Sequence, residues 1–213
     1  MPPKGSKKQK VTKHEPATQD KLGTLKVTSP EEIVKELLDN EEYGRSYTSE
    51  LGIELKDGDN AALFMWLCCS IMFSSGLSEA LTMRACSKLL EEKLISDPKT
   101  TKDAPSDKFV STLDHIYQRK EQTAKYLHSA ASVILDKYEG SLFKLREASG
   151  KDQEKIKSNL KEITGLAEVG VSIFFREAQL VWPELRPYMD KRAAECAAQM
   201  GLPDDAEKLS ELG

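Results

Sequence analysis

The feature that most constrains this chain is the run from Ala61 to Phe73, AALFMWLCCSIMF, apolar at every position except Ser70. A bilayer span needs roughly 20 such residues, so the run is too short to cross a membrane. It reads as a helix buried on all sides, and such a helix must be wrapped by other elements. The flanking sequence supplies those elements as further helices. Nowhere do four or more residues alternate as a half-buried strand does. The pattern predicts an all-α protein of roughly eight to ten short helices, with no fixed-period repeat.

Residues 1–28 hold Lys, Thr, Gln and Pro with few apolar residues and are expected to form a disordered basic tail. Residues 29–213 are expected to form one helical domain. Ser29-Pro30-Glu31-Glu32 opens it as a capping box, with an apolar stripe of Ile33, Val34, Leu37 and Leu38 behind. Gly52 to Asn60 reads as a loop, with Asn60 capping the apolar helix, and Ser74-Ser75-Gly76 as its end. Leu81, Ala85, Leu89 and Leu90 mark the next helix. Asp97 to Asp107 reads as a loop, with Ser106 as the cap of a helix carrying Phe109, Leu113 and Ile116. Leu127, Ala131, Ile134, Leu135 and Tyr138 form a longer helix that stops near Gly140. Leu142 and Leu145 mark a short one, and Ile156, Leu160 and Ile163 another.

Charge is unevenly spread. The first 14 residues carry five lysines and no acid, which leaves −9 on the remainder of a chain whose net charge is −4. An acidic body does not attract nucleic acid as a whole, so any DNA contact must be local. The KGSKKQK cluster is equally compatible with a nuclear import signal or loose polyanion-binding arm and with an ordinary solubilising tail. No apolar run follows the first residues, so secretion is not expected; the expected location is the nucleus, otherwise the cytoplasm. Cys68, Cys69, Cys86 and Cys196 form no CxxC pair and read as reduced thiols. His14, His115 and His128 are scattered. No metal site and no cofactor are expected.

Residues 156–176 read IKSNLKEITGLAEVGVSIFFR. One helix ends at Ile163-Thr164, Gly165-Leu166-Ala167-Glu168 turns, and a second apolar helix starts near Val169. This predicts a helical hairpin over about 156–181, with Leu166 pointing into it and the turn amides facing out. Free amides at a helix N-terminus suit one backbone phosphate, although a purely structural turn has the same pattern. Trp182-Pro183 closes the second helix, Pro187 stiffens the loop, and Asp190 opens a helix that ends at Gly201 before Pro203.

This order of elements resembles the endonuclease III-like (HhH-GPD) superfamily of base-excision DNA glycosylases, whose motif runs LPGVGxxTAxxxL, a loop, VDxHxxR and a helix ending in LGL. Gly165 matches the first hairpin glycine, Leu166 the buried residue between the glycines, Gly170 a small position in the next helix, and Asp190 the family aspartate. Met200-Gly201-Leu202-Pro203 matches the helix end, and LCCSIMFSSGLSEALTMRACSKLL is similar to the early helix pair around LSxQxTD. The resemblance covers residues from about 60 to 203. It implies a two-lobed multi-helix fold with a helix–hairpin–helix, a double-stranded DNA partner, and a monomer without membrane contact. It implies further that Asp190 activates water or stabilises an oxocarbenium-like sugar, although an Asp before a helix is also an ordinary N-cap. Backbone contacts fall to Gly165, Leu166, Ala167, Val169, Gly170, Lys191 and Arg192, and the wedge that fills the gap of an extruded base falls to Gly76 or Leu77.

Several departures shape the expected activity. Val169 stands where bifunctional members carry their Schiff-base lysine, so a monofunctional glycosylase is implied. Ala167 replaces the second hairpin glycine, and Glu168 puts a negative charge beside the phosphate site. The iron–sulfur cysteines are missing. Lys191, Arg192 and Arg176 are placed to reach phosphates or to pair with Glu177 and Glu195. Tyr117, Gln118, Arg119, Lys120 and Tyr126 form a polar-aromatic group for a base pocket or an exposed helix start. The alternatives are an inactive DNA-binding or scaffold member and a helical protein-interaction module.

Overall fold

A computed structural model describes residues 29–40, 45–56 and 58–213. The basic tail and its import cluster lie outside the described residues. Within them the chain is all-helical: α1 (Pro30–Asp39), α2 (Tyr47–Glu50), α3 (Asn60–Phe73), α4 (Glu79–Glu91), α5 (Pro98–Asp103) and α6 (Ser106–Thr112) lead to the long α7 (Lys120–Tyr138). Then come α8 (Leu142–Ala148), α9 (Gln153–Leu160), α10 (Glu168–Ala178), a 3-10 turn (Pro183–Leu185), α11 (Lys191–Gln199) and α12 (Ala206–Ser210). No helix among the described residues is long and apolar enough to cross a membrane.

The apolar run does form the central helix. Leu63, Phe64, Trp66, Leu67, Cys68 and Cys69 of α3 are fully buried, and α4, α7, α8 and α10 pack around it. Burial pushes the thiols of Cys68 and Cys86 well up, which keeps both protonated. The closest partner of α3 is α10, where Trp66 donates its Nε1–H to the carbonyl of Phe174 at 3.0 Å. Gly170 permits that approach: a Cβ there would stand 2.6 Å from Leu166 Cδ1 and 3.3 Å from Ser74 Cβ. α5 and α6 pack on α7.

Local details differ from the sequence expectation. Asp59, not Asn60, caps α3, accepting from the Ala62 amide at 3.0 Å. Asn60 instead ties the α7–α8 corner, donating to Gly140 O at 2.8 Å and accepting from Leu142 N at 2.7 Å. The expected loop from Asp97 holds α5, because Asp97 caps it and Pro98 starts it. Ser106 is the first residue of α6 rather than its cap. α2 had no apolar period to announce it.

Candidate functional site

The expected hairpin corresponds to α9, its connection and α10, whose Ile156 and Leu160, Ile163 and Leu166, and Val171, Phe174 and Phe175 are all buried in the common core. Its connection, 161–167, is longer than the four-residue turn expected. The Leu166 amide donates to Ile163 O at 3.0 Å and turns the Leu166 side chain inward. Gly165 has φ +93, and a Cβ there would overlap the ring of Tyr126. Glycine is therefore required twice, by conformation and by space. The N-cap of α10 is Ala167, whose methyl offers no acceptor, so the first-turn amides of that helix have no side-chain cap.

Those amides border a cavity of about 650 Å3. Ser74 and Ser75 at the end of α3, Arg119 at the N-cap of α7, Gln122 and Tyr126 of α7, and Lys161, Thr164, Gly165, Leu166, Ala167 and Val169 of the hairpin line it. Uncapped donors beside Arg119 and Lys161 suit an oxyanion. Glu168 opposes this less than its position implies, because its carboxylate is held by Lys157 and Lys161, each at 2.5 Å. The Lys157 contact, then that of Lys161, lowers its pKa.

Asp190 belongs to a different opening. It is 8% exposed and lines a cleft of about 480 Å3 with Tyr47, Phe73, Leu77, Glu79, Ile173, Arg176 and Arg192. One carboxylate oxygen accepts the Ala193 N–H at 2.9 Å and so caps α11; the other lies 3.0 Å from Arg176 Nε. Opposite, the Tyr47 and Phe73 rings stack with centroids 4.6 Å apart and planes 6° apart. Burial, and after it the negative charge of Glu79, raises the Tyr47 hydroxyl pKa. Tyr47 is positioned from behind by buried Glu177, which accepts from the Tyr47 amide at 2.9 Å, the Thr48 amide at 3.0 Å and the Thr48 hydroxyl. The loop that carries Asp190 is fastened to α10 as well. Gln179 and the Tyr188 backbone exchange two hydrogen bonds at 2.9 and 3.2 Å, and Ser172 Oγ meets the Tyr188 hydroxyl at 2.5 Å.

The two openings share α10. Val169, Ser172, Ile173 and Arg176 fall at i, i+3, i+4 and i+7, so one face runs from the hairpin cavity to the cleft, about 10 Å along the axis. Gly165, Leu166, Ala167 and Val169 thus line the first opening, while Asp190, Arg192 and Leu77 line the second. Gly170 is buried and serves packing. Gly76 is exposed, with φ +76 that serves the bend after α3. Lys191 stands away from the cleft, 90% exposed and 3.7 Å from Glu195. Arg176 pairs with Asp190, and Glu177, expected at the surface, is a buried acceptor.

The polar-aromatic group divides too. Arg119 and Tyr126 line the hairpin cavity, Lys120 pairs with Asp114, and the buried Tyr117 donates its hydroxyl proton to Met72 O at 3.0 Å. None of the group reaches the Asp190 cleft. Tyr47 in the cleft and Glu177 behind it are positions that the sequence did not point to, whereas Arg176, placed by the sequence to reach a phosphate or to pair with Glu177, meets Asp190 instead. Arg176 had a usable signal, its spacing of seven from Val169, whereas Tyr47 sits in a one-turn helix with no periodic signature. No family model matches the chain, and no curated protein or solved structure matches it.

Proposed function

We infer that this chain binds double-stranded DNA through its helix–hairpin–helix unit and hydrolyses the N-glycosidic bond of an extruded nucleotide, as a monofunctional base-excision glycosylase with two lobes flanking the cleft. The observation that carries the reading is the shared face of α10, with uncapped amides at one end and the near-buried carboxylate of Asp190 at the other. A strand held at the hairpin and running along this face has a nucleotide about three steps away within reach of the cleft. There the Tyr47–Phe73 stack offers an aromatic wall for a base, and Leu77 stands beside it to fill the vacated space. The carboxylate of Asp190 then faces developing positive charge on the sugar, or orients the water that attacks it. Val169 supplies no amine, so strand scission through a Schiff base is not part of the reaction.

One observation favours a second reading, a DNA-binding protein without catalysis. The Arg176 guanidinium compensates the charge of Asp190, and a compensated carboxylate stabilises a cation poorly. The experiment that separates the two is base release from a panel of duplexes with damaged bases, run beside binding to a duplex that contains an abasic-site mimic. Release by the native chain, lost in Asp190→Asn while binding persists, supports the glycosylase. Salt-dependent binding with no release across the panel supports the second reading. Absence of binding at low salt removes both and leaves a helical protein-interaction module.

A further inference from the structure

The ion pair between Arg176 and Asp190 differs in construction from the other arginine–carboxylate pair among the described residues. Arg146 grips Glu184 with two aligned N–H donors, from Nε and, at 2.6 Å, from Nη2, and both side chains are largely buried. Arg176 approaches Asp190 to 3.0 Å without an aligned hydrogen bond, and its side chain is 40% exposed. Among the described residues none of the guanidinium N–H groups of Arg176 has a hydrogen-bond acceptor. Asp190, for its part, accepts the Ala193 N–H through Oδ1, the oxygen that Arg176 does not approach. Arg192 lines the same cleft. A planar fork of unused donors matches the paired oxygens of a phosphate better than it matches the single carboxylate oxygen it now touches. Its distance from the hairpin, about 10 Å on the α10 face, corresponds to about three nucleotides of one strand at about 3.4 Å rise each.

We propose that Arg176 is a second phosphate contact, and that a DNA backbone phosphodiester arriving in the cleft draws its guanidinium off Asp190. This rests on the DNA-binding reading above and adds to it a role for the pair: at rest Arg176 keeps the carboxylate compensated, and strand occupancy uncovers it. Arg176 is thus a positioning residue for Asp190.

The test is a double-mutant cycle on the full chain, read as binding to a fluorescent duplex with an abasic-site mimic over a series of salt concentrations. Asp190→Asn keeps the α11 cap, since Asn caps as well as Asp, and frees Arg176; it tightens binding about two- to fivefold, the magnitude of a half-exposed ion pair. Arg176→Gln weakens binding and reduces the slope of log affinity against log salt by about 1. Arg176→Lys restores the slope, and Asp190→Asn gives no tightening on top of Arg176→Gln. Equal tightening by Asp190→Asn in both backgrounds, which long-range charge alone would give, overturns the proposal. So does an unchanged slope in Arg176→Gln. In both cases the native chain still binds, which separates this failure from failure of the DNA-binding reading, where the native chain shows no salt-dependent binding at all. Thermal melts of each variant identify loss of fold.

Discussion

Gly165 is the residue at which conformation and packing are hardest to satisfy together. Its φ of +93 excludes an ordinary L side chain, and the Tyr126 ring fills the space a methyl would take. Gly165→Ala is therefore expected to cost about 1–3 kcal/mol from the backbone conformation, with a further loss from displacing Tyr126. A denaturant titration measures the sum of the two. Leu166, 2% exposed beneath the same turn, is a packing residue. Leu166→Ala should destabilise by about 2–5 kcal/mol, and a change within about 0.5 kcal/mol would mean that the hairpin core is not closed as described. Both residues were legible in the sequence, since a turn glycine followed by an apolar residue has few other uses. The partner of Gly165 was not, because Tyr126 lies on α7, far away along the chain.

At the scale of elements, α10 organises the molecule. Its buried side seals α3, its N-terminus opens on the hairpin cavity, and its last turns hold α2 through Glu177 and the Asp190 loop through Arg176 and Gln179. Glu177→Ala removes three acceptor contacts at once and leaves the Tyr47 and Thr48 amides without their partner. The expected cost is about 1–3 kcal/mol for each buried group left unsatisfied. Release of Tyr47 from Phe73 should also disturb Trp66, whose ring centroid lies 6.3 Å from that of Phe73, so a tryptophan fluorescence shift reports the change directly. A second expectation belongs to the exposed face. Val169→Lys places an amine between the hairpin cavity and Ile173. If the strand runs along this face, borohydride should trap that variant covalently on abasic DNA, and the native chain should not react. Helix existence was largely readable from apolar spacing, but helix ends were not. The caps Asp59 and Asp97 and the short α2 and α5 depend on one or two polar residues whose competing uses the chain alone does not rank.

At the scale of the whole molecule, one ion pair joins distant segments through a part-buried contact. Arg146 and Glu184 join α8 to the turn after α10, with Arg146 5.9 Å from the centre of the Trp182 ring. Burial, the largest single effect, raises the Glu184 pKa, but the hydrogen bond from Arg146, a backbone hydrogen bond and the charges of Arg146 and Lys151 together outweigh it and the net shift is downward. A lowered carboxylate pKa contributes stability that is complete above the unfolded value of about 4.3. That contribution disappears as pH falls through the lower folded value. Glu184→Gln should therefore melt below the native chain at pH 7, and the gap should shrink below about pH 4.3. A gap independent of pH would mean the pair contributes through packing alone. The sequence by itself determined that the described residues are all-helical, that Ala61–Phe73 is a buried helix at their centre and that a turn at Gly165 separates two helices, because apolar period and glycine placement act over a few neighbouring residues. Only the tertiary structure decided that the hairpin cavity and the Asp190 cleft are separate openings joined by one face of α10, that Arg176 rather than solvent meets Asp190, and that Tyr47 stacks on Phe73. Those relations depend on how distant helices cross, and crossing is set by the summed packing of the core rather than by any local spacing.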